Sequence, residues 1–229
     1  MLTEFGFGAW DVEALGFFVV TWFVYGWIAD SSRFRYKSIT ASMDGERLQW
    51  MQMATRRELR VIDTGVMSVL VTGISFFAST TIFVIGGLIA ALVNLDKLPE
   101  ALDGLPFALA PTVEGWALHL IVMLAVFIYA FFKFAWAFRL ANYCSILIGG
   151  LPHHEDSDTA RDEAAARAAG VSSLSGHHFN RGLRAYFFAL ALLAWFVHPF
   201  AFMAATVCVV LVLVRREFLS SAASLVGKS

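Results

Sequence analysis

An ammonium group inside an apolar run needs a reason to be there. Lys133 lies in FIYAFFKFAWAFR, with no other charge for eighteen residues before it. Burying such a charge near a bilayer centre costs at least ~2.5 kcal/mol, so residues of this kind pair, snorkel or serve a function. Asp63 opens the preceding apolar segment at a similar depth, which makes a Lys133–Asp63 pair one expectation. Snorkelling of Lys133 to the nearer headgroups is the other.

A second pattern is a line of hydroxyls. Thr64, Ser68, Thr72, Ser75 and Ser79 are spaced 4, 4, 3 and 4, which puts all five on one face of a helix, with Gly65 and Gly73 beside them. Hydroxyls in a line can wet a path for an ion or small solute. Small residues in a line also let helix backbones approach closely in lipid, and that seam is the plainer reading. An oligomer built around this helix satisfies both. His198 joins Lys133, Asp63 and the five hydroxyls as an intramembrane polar residue of such a path, and with His119 it is a weak metal candidate, since two imidazoles without a third ligand make a poor site. HHEDSD (153–158) and GHHF (176–179) match no compact metal spacing and read as a solvated loop. No phosphate loop, nucleophile elbow or zincin helix occurs, so the chain presents no catalytic constellation and implies no cofactor.

These residues are carried by long uncharged runs. The chain of 229 residues is 59% hydrophobic and only 15% charged, and its mean hydropathy is +0.68. A soluble domain has about a quarter charged residues. The composition predicts one all-α, polytopic transmembrane helix bundle over 1–229. Its apolar segments fall at about 14–29, 61–93, 114–148, 183–197 and 200–214, joined by polar loops at 30–60 and 149–182. Glu4, Asp11 and Glu13 near the N-terminus are the reverse of a secretory leader, so the first segment is expected to stay as an anchor. Cys144 and Cys208 sit in apolar surroundings and read as packing residues. A net charge of −1 offers no basic face for nucleic acid.

Inside the first polar loop, DGERLQWMQMATRRELR predicts an amphipathic interfacial helix at about 44–60, with Asp44 as its cap. Leu48, Met51 and Trp50 would rest on the membrane surface while Arg56, Arg57 and Arg60 meet anionic headgroups. In the second loop, DTARDEAAARAAG predicts a short helix capped by Thr159 and ended by Gly170. The last apolar run, 185–214, is broken by WFVHPF. As one span it is too long, and as two arms of ~15 residues it is short. The basic residues favour a hairpin turning at His198–Pro199. Loop 30–60 carries seven (with Arg33, Arg35 and Lys37 among them) and the stretch from Arg139 to Arg184 five, whereas residues 95–115 carry one. By the positive-inside rule the two basic loops are cytoplasmic and the N-terminus is outside. A hairpin returns Arg215 and Arg216, and the C-terminus, to the cytoplasmic side of a cell membrane.

Three separated blocks, RLQWMQMATRRELRVIDTG…SFFAST, YAFFKFAWAFRLANYCSILIGG and FNRGLRAYFFALALLAWFVHPF…VLVRREF, resemble the uncharacterised integral membrane family filed as domain of unknown function 599. The resemblance runs from the first apolar segment to RREF. It implies a multi-span membrane protein and carries over no activity, cofactor or catalytic residue. Taken together, the residues point to an oligomeric channel or transporter for an ion or small solute. The competing reading is a non-catalytic subunit that packs on membrane proteins or lipids. Either one has the anionic lipid bilayer, further copies of the chain or a membrane protein as its partners.

Overall fold

The computed structural model describes residues 8–31, 38–97, 113–153, 155–221 and 225. Arg33, Arg35, Lys37, His154, most of the 95–112 loop and Ser229 lie outside them. Among the described residues are six α-helices and no strand. They are α1 (Ala9–Ser31), α2 (Ile39–Thr55), α3 (Val61–Val93), α4 (Val113–Gly149), α5 (Asp158–Leu193) and α6 (Pro199–Phe218). The protein is an all-α helical bundle. Four of its helices, α1, α3, α4 and α6, are long and apolar enough to cross a membrane. Their length and composition are consistent with a multi-pass membrane protein.

Local chemistry fixes most helix ends. Gly8 N–H donates to Asp11 Oδ2 at 3.0 Å while Asp11 N–H returns to the Gly8 carbonyl at 3.1 Å, closing the start of α1. The cap of α2 is Ser38, whose Oγ accepts from Ala41 N–H at 3.1 Å. This helix therefore starts and ends about five residues before the 44–60 expectation, and Asp44 lies inside it. α4 ends where Gly149, Gly150 and Pro152 end helical pairing, with Gly150 N–H on the Ile146 carbonyl at 3.0 Å.

The stretch expected as a loop with a short helix is instead the first part of α5, 36 residues long. Its cap is Ser157, accepting from Ala160 N–H at 3.3 Å, rather than Thr159. Gly170 does not end it. An interior glycine costs about 1 kcal/mol against alanine, and a buried ridge of small residues continuing past Gly170 outweighs that cost.

The last apolar run is a hairpin. α5 gives way to a 3₁₀ turn at Ala194–Phe196, and α6 begins at Pro199. Proline suits the first helical position, where its missing N–H has no partner to lose. His198 caps α6, its Nδ1 accepting from Phe200 N–H at 3.2 Å. Arg216, at the far end of α6, has its Cζ 5.2 Å from the ring centre of Phe187 on α5. One continuous kinked helix would put roughly 44 Å between residues 29 apart. The arms are not short, because α6 has 20 residues and α5 extends into the polar sequence.

The chain divides into two compact units. Unit one comprises Met1–Ser32, Thr80–Ala130 and Leu183–Arg216, and unit two comprises Arg33–Ser79, Phe131–Gly182 and Glu217–Ser229. Unit one is held by rings. Phe18, Phe188 and Phe202 are fully buried. Phe18 packs on both others at 5.6 and 5.1 Å, and Trp22 stacks on Phe188 at 5.4 Å. Trp195 stacks on Phe202 at 5.0 Å and donates its Nε1–H to Asp11 Oδ1 at 2.9 Å.

Unit two is held by close approach. Ala137, Ala141, Cys144 and Ile148 of α4 share one buried cluster with Ala164, Ala165, Ala168 and Ala169 of α5 and Met51 and Ala54 of α2. Ser175 Oγ–H reaches across to the Ala137 carbonyl at 2.8 Å. Gly182 completes the ridge. A Cβ there would lie 2.5 Å from the ring of Phe134, which Phe77 and Phe179 hold from other sides at 5.5 and 5.6 Å.

Candidate functional site

The polar chemistry of unit two gathers around α2. Asp44, the sixth residue of that helix, comes within 3.1 Å of the Arg47 guanidinium, one turn on. From α5, His177 Nε2 lies 2.9 Å from Asp44 Oδ2 and 3.1 Å from Oδ1. Burial opposes ionisation of Asp44. The hydrogen bonds from His177 and Ser173 and the charges of His177 and Arg47 outweigh it, holding the carboxyl below its ordinary 3.8. Burial pushes the Arg47 guanidinium down from its ordinary value, with Asp44 opposing. Gly176 leaves room for that guanidinium, since a Cβ there would sit 2.5 Å from Nη2.

Arg47 lines a cleft of about 180 Å³. Its walls are Met67, Leu70, Gly73 and Ile74 of α3 and Ser172, Ser175 and Phe179 of α5. A second groove, of about 250 Å³, lies on the other side of Met67. Thr64 and Ser68 of α3 face Asn142 and Ser145 of α4 across it.

The corner between α2 and α3 is tied separately. Asp63 is fully buried. Its Oδ1 accepts from Trp50 Nε1–H at 2.8 Å and from Arg57 Nη1–H at 2.5 Å. Its other oxygen, Oδ2, has no hydrogen-bond partner among the described residues. Arg60 donates from Nη1 to the Leu151 carbonyl at 2.8 Å and from Nη2 to the Pro152 carbonyl at 2.6 Å. It thereby ties the start of α3 to the end of α4.

Against this geometry, the family described as a protein of unknown function, DUF599, matches residues 14–222. The chain belongs to that family. No curated protein and no solved structure matches it.

In this DUF599 chain the residues singled out by sequence separate into three groups. The first is the hydroxyl stripe, which remains on the surface. Thr64, Ser68, Thr72 and Ser79 are exposed and Ser75 is half-buried. The hydroxyls of Thr64 and Ser75 turn back to the carbonyls of Val61 and Thr72 at 2.8 and 2.9 Å. Thr64 and Ser68 border the groove shared with α4, and the rest of the stripe lies on the surface among the described residues.

The second group is the charges. Lys133 is half-buried on α4. It does not pair with Asp63, whose partners are Arg57 and Trp50; Arg57 lies only six residues away along the chain and reaches it first. Of the three arginines assigned to headgroups, Arg57 and Arg60 are turned onto the protein and Arg56 is exposed. Met51, expected on the membrane surface, is buried in the unit-two cluster.

The third group is the histidines. His119 is buried, its Nδ1 2.8 Å from the Gly115 carbonyl and its ring 4.1 Å from that of Trp195, with Phe196 beside it. His198 is a helix cap, stacked on Phe200 at 5.3 Å. The described residues contain no group of three His, Cys, Asp or Glu side chains placed to hold a metal.

Sequence reasoning passed over the Asp44–Arg47–His177 cluster. Asp44 and Arg47 are three apart on one helix face, which is a readable signal. His177 joins them only because α5 is helical through residues expected to be a loop.

Proposed function

We propose that this protein is an oligomeric membrane transporter or channel for an ion or small solute, with its path running along α3 between copies of the chain. The observation that carries this reading is the exposure of α3. Only 6% of its membrane-crossing window is buried by the rest of the chain, against 22–33% for the other three candidate spans. Its exposed surface holds the five-hydroxyl stripe. Exposed apolar side chains on α3 need only lipid, but a row of hydroxyls and glycines packs better against another helix or against water. Assembly of α3 from several copies supplies both. The distribution of basic residues supports a cell-membrane setting with α2 and the start of α5 cytoplasmic and the N-terminus outside.

The full chain reconstituted into liposomes should pass a small ion or solute, read by ion-sensitive dyes. Thr72→Leu and Ser75→Leu should abolish that flux while crosslinking still reports the oligomer. Unchanged flux in both variants would sink the proposal.

The second reading is an accessory subunit whose stripe is a helix seam. The hydroxyls of Thr64 and Ser75 favour it, because they are already satisfied by their own backbone. It predicts that the same variants dissolve the oligomer and that the wild type conducts nothing.

A further inference from the structure

The cleft at Arg47 lies apart from the hydroxyl stripe and has a different chemistry. Arg47 makes one described bond from its guanidinium, Nη1 to Asp44 Oδ1. A guanidinium carries five N–H donors, and this one is only 19% exposed. Asp44 engages only one of those donors, and its carboxylate is shared with His177 through both oxygens. The result is a largely desolvated cation with donors to spare, lining a mostly apolar slot. Ser172 and Ser175 line the same slot.

The walls say what kind of anion fits. Met67, Leu70, Ile74 and Phe179 offer no hydrogen-bonding side chain to the polar edges of a sugar or a nucleobase. Val69 and Leu70 are exposed on α3, a candidate membrane span, so the slot opens on a surface that lipid covers. A ligand that arrives through the bilayer, with an apolar tail and an anionic head, matches the walls and the cation. Glycine stands at the two positions where a side chain would intrude, Gly176 at the guanidinium and Gly73 in the wall.

We propose that this cleft seats one anionic phospholipid per chain, its phosphate on Arg47 and the first carbons of one acyl chain between α3 and Phe179. The site does not depend on assembly through α3, so loss of transport and loss of lipid are separate failures.

Native mass spectrometry of the full chain in detergent tests it, with phosphatidylglycerol and phosphatidylcholine added in competition. One phosphatidylglycerol should be retained per chain, at about tenfold preference or more, because both lipids offer a phosphate but the choline ammonium offsets the charge that Arg47 meets. Arg47→Met should erase the preference. Gly73→Phe should erase it as well, by filling the slot without touching the ion cluster; its new Cβ meets no atom within 4 Å, so this variant decides the matter if the first does not fold. Asp44→Asn should keep or raise the preference, because it removes a competing carboxylate. Lys97→Gln, an exposed cation outside the cleft, should leave it unchanged. Equal retention of both lipids, or a preference that survives both Arg47→Met and Gly73→Phe, overturns the proposal. So does Arg47-dependent binding of oleate with none of phosphatidylglycerol, which would make the ligand a free fatty acid.

Discussion

The two units solve one problem in opposite ways. In lipid the hydrophobic effect gives helices little reason to associate, so packing and hydrogen bonds must do it. Unit one fills the space between its helices with large rings around Phe18, Phe188 and Phe202, adding a few polar ties such as Thr81–Tyr186 at 2.7 Å. Unit two removes side chains instead, lining α4 and α5 with alanines and Gly182, and places its charges where α2 can reach them. Large rings tolerate no loss, and small residues tolerate no gain. Substitutions of opposite sign therefore separate the two designs.

The largest effect should come from emptying unit one. Phe188 is fully buried and touches Phe18, Trp22 and Tyr25. Phe188→Ala should cost about 3–5 kcal/mol, read as a lowered thermal midpoint in detergent. A loss no larger than that of a surface substitution would mean the ring cluster is not what holds the unit.

The reverse change tests unit two. Gly182→Ala places a methyl 2.5 Å from the Phe134 ring. Phe134 is buried and held by Phe77 and Phe179, so it has nowhere to turn. Overpacking of this kind costs about 1–3 kcal/mol. An alanine normally favours a helix, so a stabilised variant would show that α4 and α5 are free to separate at this point.

That contrast also explains which parts of the molecule were legible beforehand. Segments 61–93 and 114–148 stand out by apolar length alone, and the structure places α3 at Val61–Val93 and α4 at Val113–Gly149. The break at His198–Pro199 was legible from proline chemistry and the placement of basic residues. The first half of α5 was not, because its burial is carried by Ala164, Ala165, Ala168 and Ala169, Ser172 and Ser175. Alanine in a polar run resembles a solvated helix until another helix is laid against it. The spacing of those small residues was the available signal. The partner of Asp63 was misread for a different reason: depth in the membrane suggested Lys133, whereas a tight corner brings Arg57 close in sequence and in space.

A smaller effect is expected at that corner. Asp63→Asn keeps an acceptor for Trp50 Nε1–H but removes the charge that Arg57 meets. Arg57 is 35% exposed, so water screens much of the pair, and the orphaned Oδ2 already makes the carboxylate expensive to bury. The change should cost about 1 kcal/mol and leave unit one untouched. A loss as great as that of Phe188→Ala would mean that the corner, rather than the small-residue ridge, organises unit two.

The smallest effect is a dependence on pH that belongs to unit two alone. The Asp44 carboxyl lies below its ordinary 3.8 in the folded protein: burial works against this, and the His177 and Ser173 hydrogen bonds and the charges of His177 and Arg47 overcome it. A group with a lowered folded value contributes stability above its unfolded value and loses it as pH falls through the folded one. The Asp44 contribution is therefore constant near neutrality and disappears only below about pH 4. Asp44→Asn should lower the thermal midpoint at pH 7 and flatten the acid limb below pH 4, with wild type and variant converging there. Curves that stay parallel down to pH 3 would show that the Asp44 charge contributes nothing to the folded state. The His177 and Arg47 contacts would then be consequences of packing the alanine ridge, not part of what holds α2 against it.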